Sequence, residues 1–161
     1  MDFTRVMRHL LRLPQRLPAS ALQAIEHAIA AGEASHRGEI RFAAEDALDA
    51  RALLAGQSPR ARAIDVFSEL RVWDTEENTG VLIYLLLADR DVEIVADRGI
   101  AARVDEADWE AICRGMEQTL RRGDLEGAVV GGVQAVSRLL ARHFPARPGD
   151  RNELPDRPVT V

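Results

Sequence analysis

Residues 81–96 read VLIYLLLADRDVEIVA, and the way this stretch divides decides the fold. Its first eight residues, Val81 to Ala88, are apolar without interruption. A strand reads that way when helices cover both of its faces. Asp89, Arg90 and Asp91 follow as a tight polar turn, without the glycine that such turns favour. From Val92 the pattern changes: Val92, Ile94 and Ala96 alternate with Glu93 and Val95, the period of a second strand. Two strands around so short a turn predict an antiparallel hairpin.

Working outward, GEIRFAAE at residues 38–45 alternates Ile40 and Phe42 with Glu39 and Arg41, and reads as another strand. Between it and the hairpin, Ser58 and Pro59 have the form of a helix cap and first turn, with Ala63, Ile64, Phe67 and Leu70 as the core face. A helical turn is expected within residues 46–54, before the breaker GQSP. A crossover helix between strands implies a parallel, right-handed connection. Upstream, Ser20 is the expected cap of a helix carrying Leu22, Ile25, Ala28 and Ile29. Downstream, Asp105 opens a helix with Trp109, Ile112, Cys113, Met116 and Leu120 on one face, and Asp124 opens the next. In that last helix Gly127, Gly131 and Gly132 cost stability unless a close neighbour compensates. The expected architecture is α/β, a three-layer α/β/α sandwich with a short mixed central sheet.

The composition suits one domain of 161 residues, with 47% hydrophobic side chains to build a core. Net charge is −5. Within residues 1–17 four arginines against Asp2 give +3, which leaves −8 for the remainder. So acidic a body excludes broad contact with nucleic acid. The single cysteine, Cys113, permits no internal disulfide and fits a cytoplasmic location, or one peripheral to the inner membrane. The longest apolar run is residues 81–88, far short of the roughly 20 residues of a membrane-spanning helix. Residues 1–17 form a basic amphipathic segment, with Phe3, Val6, Met7, Leu10 and Leu11 at helical spacing and an end near Pro14. It either packs on the domain with its arginines solvated, or meets a protein partner or a membrane surface. Residues 18–145 make the α/β domain, and residues 146–161 read as a flexible polar tail.

Candidate chemistry gathers at predicted strand ends. WDTEENTG, residues 73–80, carries Asp74, Thr75, Glu76, Glu77, Asn78 and Thr79, oxygen donors of the kind that bind calcium or magnesium. The spacing is not that of an EF-hand loop. Asp97, Arg98 and Gly99 follow a buried strand: Asp97 suits a cation, Arg98 a phosphate or carboxylate, and all three also suit a structural turn. Glu39 would approach Asp97 if their strands are neighbours. No histidine pair has metal-ligand spacing, and Cys113 lies on an apolar stripe. Trp73 and Trp109 read as packing anchors, and no phosphate-binding glycine loop or nucleophile elbow is present.

The order of GEI, NTGVLIYL, ADRGI and W-x2-I-C-x2-M, with a glycine-rich helix and HFP after it, resembles the TPM domain family, also called thylakoid-lumen phosphatase-like, over roughly residues 20–145. The resemblance implies an α/β/α sandwich and marks Glu39, Asn78, Asp97, Arg98 and Gly99 as the best site positions, with Asp74 and Thr75 after them. Some members are described as acid phosphatases and some bind calcium. Many relatives carry a signal peptide and a C-terminal membrane helix; this sequence shows neither pattern, and so resembles a cytoplasmic bacterial branch. Two functions follow as expectations. One is a divalent-cation-binding or regulatory interaction module holding Ca2+ or Mg2+. The other is a weak metal-assisted acid phosphatase acting on phosphomonoesters.

Overall fold

The structure is a computed structural model that describes residues 3–11 and 16–161. The chain runs through α1 (Phe3–Leu10), α2 (Ala19–Glu33), β1 (Glu39–Glu45), α3 (Ala50–Leu54), α4 (Pro59–Glu69), β2 (Gly80–Leu86), β3 (Asp91–Ala96), α5 (Arg98–Ala101), α6 (Glu106–Arg121), α7 (Leu125–His143) and β4 (Val159–Thr160). The sheet order is β3-β2-β1-β4, with β1 parallel to β2 and β4, and β2 antiparallel to β3. It is a three-layer α/β/α sandwich around a short mixed sheet.

The strand alternation assigns the two cores. Ile40, Phe42 and Ala44 of β1 join Val81, Ile83 and Leu85 of β2 and Val92 and Ile94 of β3 beneath α2, α6 and α7. The opposite set, Ala43, Leu82, Tyr84, Leu86 and Val95, packs against Leu53, Ala63 and Val66 of α3 and α4. β2 is buried along its whole length, as its unbroken apolar run requires.

Local chemistry explains the element boundaries, with some departures from the expected ones. Ser58, Asp49 and Asp124 cap their helices by accepting from Ala61 N, Ala52 N and Gly127 N. Ser20 does not cap α2: the helix starts one residue earlier, after Pro18, without a side-chain cap. The hairpin turn lies at residues 87–90 rather than 89–91, and Asp91 already pairs with Leu86. Arg90 there has φ 52°, the left-handed conformation that the missing glycine would have supplied. Trp109 is buried, but Trp73 is 45% exposed and anchors no core.

Both ends of the chain dock on the domain. Arg5, Arg8 and His9 of α1 all reach the Asp89 carboxylate, at 2.8, 3.2 and 3.0 Å. The segment read from sequence as a free polar tail instead supplies β4, and buries Leu154 in the second core. Its attachment is largely backbone, which a tally of apolar side chains misses. The expected end of the first helix near Pro14 falls outside the described residues. Among the described residues, no helix is long and apolar enough to cross a membrane.

Candidate functional site

The topology gathers most of the predicted site at one end of the sheet. β1 and β2 start there, and β3, running the other way, finishes there. Glu39 pairs with Gly80 across the parallel ladder, and Asp97 N donates to Gly80 O at 2.9 Å on the other side. Residues level with one another on neighbouring strands point to the same face, so Glu39 and Asp97 flank Gly80 with their side chains on one side of the sheet. Two strand spacings separate them by roughly 10 Å. Between them lies backbone: a Cβ on Gly80 would stand 1.9 Å from the carbonyl oxygen of Val72. The two carboxylates are aligned but not joined.

Asp97 is the centre of the tighter group. Its Oδ1 accepts from Arg98 N at 2.7 Å, capping α5. Its Oδ2 is buried and has no hydrogen-bond partner, in a residue only 8% exposed. Gly99 N donates to Asn78 O at 3.1 Å, and a Cβ at Gly99 would meet the carbonyl oxygens of Glu77 and Asn78, each at 2.6 Å. Only glycine lets the 97–99 turn come so close to the 77–78 backbone. Asn78 holds its carbonyl there with φ 55°, and its side-chain oxygen accepts from Arg98 Nε at 3.3 Å. Asn78, Asp97, Arg98 and Gly99 therefore form one constellation.

The other predicted residues stand apart from it. Thr75 braces the loop from behind, its hydroxyl accepting from Thr79 N at 2.9 Å. Asp74 is exposed and pairs with Arg71 at 2.9 Å. Glu39 accepts from Leu154 N at 3.1 Å, and burial raises its pKa above the carboxylate range. Beside it Arg41 donates to the carbonyls of Pro155 and Arg157, and Glu33 accepts from Ile40 N. Burial pushes Glu33 up to about 8, with Glu39 and Asp156 adding repulsion. This second cluster serves the C-terminal segment. The sequence hid it because its partners lie more than 110 positions away; its only local sign was two charges, Glu39 and Arg41, on one face of a strand otherwise rich in apolar residues.

Among the described residues, no group of three or more His, Cys, Asp or Glu side chains is placed to hold a metal ion. Oxygen ligands beyond Asp97 would come from the Asn78 amide and the 77–78 carbonyls. A cleft of about 550 Å³ between β3 and α6, floored by Ile94, Trp109 and Cys113, lies apart from these residues. Burial pushes the Cys113 thiol up to about 12, which leaves it protonated and unreactive at neutral pH.

The TPM domain family model matches residues 14–139. The BA42 protein of the psychrophilic bacterium Bizionia argentinensis, solved by NMR, is 28% identical and aligns with a TM-score of 0.81 over 94% of this chain and 99% of that one. Two N-terminal domains share the fold at lower identity. The one from P. gingivalis gives 18% identity and a TM-score of 0.64, over 80% of this chain and 78% of that one. The one from cg2496 of Corynebacterium glutamicum gives 15% and 0.58, over 78% of this chain and 74% of that one. No curated protein matches.

Proposed function

The chain belongs to the TPM domain family, and from that premise we propose that it is a divalent-cation-binding or regulatory module whose ion, Ca2+ or Mg2+, sits at the end of β3. The observation that carries this reading is Asp97 Oδ2, a buried carboxylate oxygen without a hydrogen-bond partner. Such an oxygen costs folding free energy unless something pairs with it. A hard cation would do so, with oxygens from Asn78 and the 77–78 backbone completing its shell. Glu39 and Asp74 take no part in this version of the site, since each already has a partner elsewhere. Thr75 contributes by bracing the loop.

A residue-resolved NMR titration with calcium, then magnesium, tests it. The expected result is saturable shifts at residues 77–80 and 97–99, none at Asp74, and their loss in Asp97→Asn. An unresponsive constellation at millimolar ion would overturn the reading.

The second reading, a weak metal-assisted acid phosphatase, rests on Arg98, whose exposed side chain reaches Asn78 through Nε and could take a phosphoryl oxygen. It also needs a nucleophile or general acid. The loop hydroxyls, Thr75 and Thr79, are buried and already engaged, Thr75 with Thr79 N and Thr79 with the Arg37 carbonyl. Phosphate release from a phosphomonoester that Asp97→Ala and Arg98→Ala both abolish would carry this second reading, and release that survives both would end it.

A further inference from the structure

Helix α1 is docked the wrong way round for an amphipathic helix. Such a helix normally buries its apolar stripe and leaves its charges in water. Here Arg5 and His9, which share a face at helical spacing, turn inward: His9 is 5% exposed, its Nε2 lies 3.0 Å from Asp89 Oδ1, and its Nδ1 accepts from Leu48 N at 3.0 Å. Arg5 adds bonds to Asp89 at 2.8 Å and to the Gln57 carbonyl at 3.0 Å. The opposite face carries Phe3, Met7, Leu10 and Leu11. Phe3 and Leu11 are each 72% exposed and Leu10 is 55% exposed, half of the large exposed apolar side chains among the described residues. Alongside runs a groove of about 1040 Å³, where Met7 and Leu11 face Leu87, Leu120 and Leu125. The inward clamp fixes which face looks out, so the exposure is built into the docking.

The charge around this face identifies the occupant. Asp89, the groove's acid, is already matched by Arg5, Arg8 and His9. Arg8 keeps half of its side chain in water, and Arg90 at the hairpin tip is exposed along the same groove. On a molecule of net charge −5, this is an apolar patch edged by cations. We infer that it is a membrane-docking surface for anionic lipid: α1 lies in the interface with Phe3, Leu10 and Leu11 among the acyl chains, and the arginines meet the headgroups. The acidic remainder is then held away from the bilayer by its own charge, which limits contact to this one face.

Vesicle flotation of the full chain tests it, with liposomes of phosphatidylcholine alone and of phosphatidylcholine mixed with phosphatidylglycerol. Binding to the mixed vesicles only is the expected result. Phe3→Ser with Leu11→Ser should weaken it roughly tenfold or more, from the apolar area lost. Arg90→Glu should weaken it roughly fivefold and make what remains less sensitive to salt. Both sites are exposed, so an unchanged melting curve accompanies either variant. Absence of binding to the mixed vesicles overturns the inference, as does equal binding to both lipids. Concentration-dependent dimers that Leu11→Ser abolishes, without vesicle binding, would assign the face to a second copy of the chain instead.

Discussion

At the scale of single residues, what counts is the room each has. Gly80 sits in the sheet with the Val72 carbonyl where its Cβ would be, and the atom in the way is backbone, which cannot rotate aside. Gly80→Ala should therefore cost more than about 3 kcal/mol, or prevent folding, in urea denaturation. Gly131 is the contrast. It lies on the exposed side of α7 with nothing within 4 Å of a Cβ, and its helix only gains from losing a glycine. Gly131→Ala should stabilise by roughly 0.5–1 kcal/mol, and a loss of stability there would mean that a contact has been missed. From sequence the glycines of α7 look alike. Only Gly132 has the close neighbour expected of them, the Met116 side chain, into which a Cβ would run, while a Cβ at Gly127 would meet just its own cap, Asp124. A glycine in a sequence shows that a side chain is absent but not what fills the space, so its role was open until the fold was known.

At the scale of elements, the hairpin and the parallel crossover were legible because each follows from a pattern inside one window: an unbroken apolar run, an alternation, a Ser-Pro cap. The Asn78–Gly99 constellation was half legible. Its residues sit at strand ends that the periodicities locate, but which of the seven candidates converge depends on strand order. Strand order put Glu39 two strands from Asp97, and the Val72 backbone filled the gap. The C-terminal segment was not legible, because Val159 and Thr160 dock by pairing with Ala43 and Ala44, and backbone pairing leaves little trace in composition. That segment supplies the hydrogen bonds for two buried charges, Glu39 and Arg41. Deleting residues 154–161 strands both, and should cost about 3 kcal/mol or more. Combining the deletion with Glu39→Gln and Arg41→Met should recover a substantial part of that, because the neutral isosteres no longer need the lost partners. If the double substitution restores nothing, packing of Leu154 rather than charge satisfaction holds the segment.

At the scale of the whole molecule, the buried carboxylates set how stability depends on pH. Glu33, pushed up to about 8, keeps its proton in the folded state over a range where the unfolded chain, with an ordinary carboxylate near 4.5, has lost it. The native state then binds more protons, so stability is fullest below about 4.5 for this group and falls as pH rises to about 8. Asp91, raised to about 6 by burial and its acidic neighbours, acts the same way over a lower window. His36 opposes them. Buried with its pKa lowered from 6.5, it stays neutral when folded, so the protein loses stability as pH falls through and below that value. Between pH 6.5 and 8 Asp91 and His36 are largely spent, while Glu33, raised to about 8, is still losing its proton and contributes to the slope. Its limit is about 1.4 kcal/mol per pH unit. The melting temperature should fall from pH 6.5 to 8, and Glu33→Gln, which keeps the acceptor for Ile40 N without a titrating proton, should flatten that fall. A slope left intact in Glu33→Gln would mean that Glu33 is ionised in the fold. Its repulsion from Asp156 would then have to be borne by Arg41, and the C-terminal segment would be held by that cation rather than by a proton on Glu33.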